Sequence, residues 1–303
     1  MPDIVSPDNP RVKSLRRILR RRGREESGLA LAEGVRLVGE ALEAGVARDI
    51  YYAPSALAGG YTGRMVLERA SRLAGTPDSG VRLFSVTEAV LAACTDTETP
   101  QGIVATVQVP VVELEELADR WAAANSAADE AASKAGGHDV PASEPAAAAP
   151  SLVVVLDRLQ DPGNVGTIMR ATEAAGADAL VALGGTVDFL NPKVLRSAMG
   201  AAFRLSLASS DGDAVAVKGL LSGAGLTVVA AVPRAPVPCY RVDLSRPVAF
   251  VVGNEGAGVS EEWEKAADLL VSIPMPGRAE SLNVSVATGI LLYEAVRQRE
   301  YLT

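Results

Sequence analysis

Five short apolar runs in the second half of the chain restrict its fold more than any other feature. They fall at 152–156, 179–183, 227–232, 248–252 and 270–273, and helix-period segments at 163–175, 192–199, 214–223, 260–267 and 282–301 separate and follow them. Several of the runs are continuously apolar rather than alternating, the pattern of parallel strands covered on both faces. Strand and helix in regular alternation give an α/β domain with a mostly parallel sheet. Such sheets place ligand sites in the loops beyond the carboxyl ends of the strands.

The first part of the chain carries a smaller α/β pattern. The spacing of Val12, Leu15, Ile18 and Leu19 predicts an amphipathic helix over 10–22. Further helices are expected at 34–44 and 61–74, and strands at 49–54, 81–86 and 103–109. No acid–base pair or nucleophile stands out there, which suits a binding module. Residues 111–150 shift to Ala with Pro, Gly and Ser, so the segment is expected to be a flexible linker between a 1–110 domain and a 151–303 domain. Apolar residues make up 48% of the chain but aromatics only 4%, so Ala, Val and Leu must build the cores.

Composition also excludes several chemistries. The one histidine, His138, lies in the Ala/Gly/Pro-rich segment, which argues against a His-based triad or a zinc site. Cys94 and Cys239 are far apart without metal-ligand spacing, and read as reduced thiols of a cytoplasmic protein. No signal peptide and no run long enough to span a membrane is evident. The net charge of −8 argues at first against a nucleic-acid partner, yet residues 11–24 hold eight basic side chains and no acidic one. An acidic body with such an arm can still bind RNA if Arg11, Lys13, Arg16, Arg17, Arg20, Arg21 and Arg22 reach phosphates rather than only solvent.

Three loops of the second domain concentrate polar groups and glycine. In DRLQDPGNVGTIMRATEAAG (157–176), Asp161-Pro162 turns the chain, Gly163 and Gly166 permit close approach, and Asn164 and Arg170 face a possible common cleft. In FVVGNEGAGVSEEW (250–263), glycines follow a strand and precede a helix, but their order is GxxGxG rather than the GxGxxG of a dinucleotide-binding turn. Asn254 and Glu255 sit at its tip, where Glu255 either acts in the site or caps the next turn. In VSIPMPGRAESLNVSVATGILLYEAVRQRE (271–300), two prolines and a glycine precede a long helix, with Ser281 as the expected N-cap and Ser281, Asn283 and Ser285 in its first turn.

The segments DPGNVGTIMRA, VVGNEGAGVS and IPMPGRAESLNVSVATG resemble, in order and separation, the three motifs of the SpoU/TrmH class of RNA 2′-O-ribose methyltransferases. SPDNPRVKSLRRIL (6–19), AEGVRLVGEAL (32–42) and ETPQGIVA (98–105) are similar to that family's accessory RNA-binding module, whose fold is like a ribosomal protein. The resemblance implies an α/β SPOUT domain with a deep trefoil knot, a homodimer completing its site across the interface through helix 282–301, and S-adenosylmethionine as cofactor. It places Ala231, Val232, Gly253, Asn254, Gly256, Ile273, Met275 and Leu282 around the cofactor, with Pro233 flanking the adenine. It gives Asn164, Arg170, Glu255, Ser281 and Asn283 to catalysis: Arg170 orients the ribose and steadies the developing alkoxide, Glu255 braces Arg170 or Asn164, and Asn283 bonds the motif loops. No metal is implied. The motif positions carry no departure from the family; the long Ala/Pro-rich insertion is one.

The accessory module points to ribosomal RNA, most simply of the large subunit. Transfer RNA is the alternative within the same chemistry, and a ribosome-assembly factor that binds RNA without turnover is the alternative outside it. A nicotinamide-dependent dehydrogenase stands last, because the glycine order is wrong.

Overall fold

The computed structural model describes residues 3–57, 60–95, 97, 99–134 and 152–301. The first part of the chain runs α1 (Pro10–Ile18), α2 (Arg21–Ser27), β1 (Ala30–Glu33), α3 (Val35–Glu43), β2 (Ala47–Tyr52), α4 (Pro54–Leu57), α5 (Tyr61–Ala74), β3 (Arg82–Ser85), α6 (Glu88–Ala92) and β4 (Ile103–Val107). The remainder runs β5 (Val111–Glu113), α7 (Leu114–Lys134), β6 (Leu152–Asp157), α8 (Pro162–Ala174), β7 (Ala179–Leu183), α9 (Pro192–Ala198), β8 (Ser206–Ser210), α10 (Ala214–Gly223), β9 (Thr227–Ala231), β10 (Val237–Pro238), β11 (Val248–Gly253), α11 (Glu261–Ala266), β12 (Leu269–Ser272) and α12 (Val284–Tyr301). These elements form two compact units. One comprises 1–110 with 188–204, and the other 111–187 with 205–303.

The first unit is built on a four-stranded mixed sheet in the order β1-β4-β2-β3. Val12, Leu15 and Ile18 of α1 pack with Leu31, Tyr51 and Val104, as the helical spacing requires. The expected single helix over 10–22 is instead two. Arg20 is extended, and Arg24 donates from Nη1 to the carbonyls of Ile18 (3.0 Å) and Leu19 (2.9 Å), satisfying the end of α1. Gly23 permits this corner, since a Cβ there would lie 2.0 Å from the Arg17 carbonyl oxygen. Segment 188–204, expected with the second domain, belongs to this unit. Ion pairs that hold it include Arg24–Asp188 at 2.7 Å, Arg196–Glu33 at 3.2 Å and Arg204–Glu40 at 2.6 Å.

The second unit carries an eight-stranded sheet in the order β10-β12-β9-β11-β6-β7-β8-β5, parallel throughout. β6 and β11 are fully buried along their lengths, as their unbroken apolar sequences require. The chain leaves β6 toward β7 and leaves β11 toward β12, on opposite sides. The β6/β11 boundary is therefore the point where strand order reverses, and a crevice opens there at the carboxyl ends. Asp157 and Gly253 face each other in register at those ends.

Residues 111–134, expected as linker, form β5 and α7 instead. β5 extends the sheet beside β8, and Leu114, Leu117 and Trp121 enter the core. Three apolar side chains on one helical stripe outweigh the Ala-rich composition around them. The rest of the expected linker, including His138, lies outside the described residues. No described helix is long and apolar enough to cross a membrane.

Candidate active site

The three glycine-rich loops meet at the β6/β11 crevice. Asp161 caps α8, accepting from the Asn164 N–H at 2.8 Å, with Pro162 in the first turn. This cap fixes Asn164 at the crevice. Its Nδ2 donates to Glu255 Oε1 at 3.0 Å, and its Oδ1 accepts from Asn283 Nδ2 at 3.0 Å. Ser285 Oγ adds contacts of 3.2 Å to the Asn164 carbonyl and Oδ1. One asparagine thus joins all three loops. Of the two partners the sequence allowed for Glu255, the structure gives it Asn164.

The loop after β11 is closed on itself. The Gly258 N–H donates to the Asn254 carbonyl at 2.8 Å, and Asn254 Oδ1 accepts from the Gly256 and Ala257 N–H groups at 2.9 and 3.2 Å. Asn254 Nδ2 donates to the Arg158 carbonyl at 2.9 Å, tying this loop to the one after β6. Asn254 is therefore spent on holding the loop. A Cβ at Gly253 would lie 2.1 Å from Gly258 C and Val259 N, so only glycine lets the loop fold back over the strand end.

Beside this turn lies a cavity of about 440 Å³, bounded by Ala231–Pro233, by Val252–Val259 and by Ser281–Val284. A smaller space of about 80 Å³ shares Ala231, Val232, Pro233, Ser281 and Leu282 and adds Ile273 and Met275. All eight residues expected around a cofactor line one or other of these spaces, and so do Glu255, Ser281 and Asn283. The expected helix start moves, however. α12 begins at Val284 and is capped by Asn283, whose Oδ1 accepts from the Ser285 N–H at 2.9 Å, while Ser281 precedes the helix. An amide side chain two residues from the first free N–H closes the tighter cap.

Arg170 stays outside the cluster, exposed and with no hydrogen-bond or ion-pair partner among the described residues. Six residues along a helix turn the chain by about 600°, so Asn164 and Arg170 leave α8 in directions roughly 120° apart. The cysteines offer no nucleophile: both are buried, and burial pushes the Cys94 thiol up to about 11 and raises that of Cys239. No group of three or more His, Cys, Asp or Glu residues able to hold a metal occurs among the described residues.

The expected basic arm is partly occupied. Arg11 lies 4.5 Å over the Phe84 ring and 3.6 Å from Asp49, and Lys13 pairs with Asp8 at 3.3 Å. Arg21 and Arg22 pair with Glu25 and Glu26, each at 2.7 Å. Arg16, Arg17 and Arg20 are exposed and carry no ion pair among the described residues.

A parallel α/β sheet with a glycine-closed loop beside a cavity at the carboxyl ends of β9 and β11 marks a ligand-binding domain. The comparisons narrow it further. Residues 151–293 match the model of the SpoU rRNA Methylase family, and residues 9–105 that of the MRM3-like substrate binding domain. The chain is 30% identical over 97% of its length to the 23S rRNA (guanosine(2553)-2′-O)-methyltransferase RlmP of Bacillus subtilis, covering 98% of that protein. Among solved structures, an RNA 2′-O ribose methyltransferase superposes with a TM-score of 0.71 at 31% identity, covering 98% of both chains. The SpoU methyltransferase AviRb from Streptomyces viridochromogenes, in complex with AdoMet, gives 0.73 at 29% identity over 97% of this chain and 99% of that one. The chain belongs to the SpoU rRNA methylase family.

Proposed function

We propose that this chain transfers a methyl group from S-adenosylmethionine to a ribose 2′-hydroxyl of ribosomal RNA, most simply of the large subunit. The observation that carries the reading is the convergence of the three motif loops on Asn164, whose partners Glu255 and Asn283 line the cavity enclosed by the loops after β9 and β11.

The residues present fit the cofactor. The Ala231–Pro233 turn offers an apolar wall for an adenine, and the close packing of Gly258 and Val259 over Gly253 holds the loop that forms the opposite wall. When bound, the sulfonium supplies an already electrophilic methyl group, so the protein's task is alignment and charge. Asn164, fixed at both ends of its amide by Glu255 and Asn283, positions the ribose. Arg170, exposed and without a partner among the described residues, orients the ribose and its phosphate and stabilises the alkoxide as the hydroxyl proton leaves to a phosphate oxygen or water.

Arg170 reaches such a substrate most directly if a second copy brings the two sites together. α12 packs against α8 and exposes Val286, Ile290 and Tyr293, at 52%, 39% and 54%, along one stripe. We assign that stripe to a homodimer interface, with the family's trefoil knot at the C-terminal end of this domain, where the second and third motif loops thread together, and the cytoplasm as compartment. Replacing Arg170 with alanine is expected to abolish methyl transfer while leaving cofactor affinity within about twofold, measured by labelled-methyl incorporation and by calorimetry. Surviving activity would remove Arg170 from the mechanism.

A further inference from the structure

We propose that Arg158 is a phosphate contact for the RNA, gripping the strand beside the methyl-transfer site; the inference rests on the RNA-modifying function above. Arg158 follows the last residue of β6 and takes a left-handed backbone conformation, φ 58°, which non-glycine residues rarely adopt. Glycine would hold this turn with less strain, so the side chain is retained against a local cost. The surroundings are fitted to it. Its Nε donates to Asp157 Oδ1 at 3.2 Å, and Asp157, with a side chain only 5% exposed, is itself fixed by the Ser260 N–H at 2.8 Å on Oδ2. The stem lies against Gly185 in the loop after β7, where a Cβ would come within 3.2 Å of Arg158 Cγ. Gly185 is also left-handed, at φ 85°.

This arrangement aims the guanidinium without consuming it. Only Nε is bonded; the two Nη groups have no partner among the described residues, and the side chain is 47% exposed at the carboxyl edge of the sheet. A fork with its root tethered and its tips free is the geometry that takes a phosphate bidentately. Its backbone carbonyl accepts from Asn254, a wall of the proposed cofactor cavity, so the fork stands one hydrogen bond from that cavity.

The test compares the full-length chain with R158G and R158K, using unmodified large-subunit RNA as the probe. R158G should bind S-adenosylmethionine like wild type, because glycine suits the backbone. It should lose about tenfold in RNA affinity, with kcat nearly kept and KM for RNA raised. Its slope of log K against log salt should shrink by about 0.7–0.9, the share of one phosphate contact. R158K should restore the slope and part of the affinity. Unchanged RNA affinity and slope in R158G would overturn the proposal. So would equal loss of cofactor and RNA binding in both variants, which would mark Arg158 as structural. Wild-type protein that retains no RNA would remove the functional reading and this inference with it.

Discussion

The two units put their arginines to different uses. In the first, a run with eight cations in fourteen residues looks like an electrostatic arm, yet the fold consumes much of it. Arg24, at 5% exposure, ties off α1 and pairs with Asp188, while Arg11, Arg21 and Arg22 face carboxylates. In the second unit the sequence shows no comparable cluster around the site loops, but Arg170 and the Nη groups of Arg158 are left without partners among the described residues. Charge density in a sequence measures how many cations are present; the structure decides how many are available to a phosphate. Availability is the quantity that binds RNA.

The sharpest way to break the comparison is to damage the second unit where it has no slack. Gly253→Ala places a methyl 2.1 Å from backbone atoms of Gly258 and Val259, so the loop must open. Calorimetry should show cofactor affinity reduced by at least about 100-fold, roughly 2.8 kcal/mol. In the first unit, Arg24→Ala leaves the Asp188 carboxylate and the Ile18 and Leu19 carbonyls short of a donor. Denaturant unfolding should register a loss of about 3–5 kcal/mol, with RNA contact not at issue. Replacing Arg16, Arg17 and Arg20 together should spare stability and reduce the salt slope of RNA binding by up to about 2–3 units. Removing Arg21 and Arg22, whose charges Glu25 and Glu26 already offset, should cost no more than about 0.5 kcal/mol each in stability. It should also change the slope least. Equal slopes for the two sets would show that pairing in the fold does not govern availability.

Much of the second unit was legible because burial on both faces writes itself as an unbroken apolar run, as in β6 and β11. β1 (ALAE) and β8 (SLASS) were not, since small and polar residues in four or five positions carry no period. The start of α7 was hidden by the alanines around Leu114, Leu117 and Trp121, three residues that suffice to anchor it. The break between α1 and α2 depends on Arg24 reaching back to carbonyls, a tertiary event that helical spacing does not encode. At the site, the motifs pointed to Asn164, Glu255 and Asn283, which the structure brings together, but the choice of Asn164 as Glu255's partner follows from the register of β6 against β11. Arg158 carries no mark in the sequence, because what sets it apart is a backbone dihedral that residue type does not encode.

The central claim is that a cofactor held at the glycine-closed turn delivers its methyl group to a ribose hydroxyl. The purified chain, incubated with methyl-labelled S-adenosylmethionine and unmodified large-subunit RNA, allows the product to be digested to nucleosides and the label located. Label on one 2′-O-methylnucleoside is expected. Label on a base, or none on RNA while the cofactor binds, would contradict it.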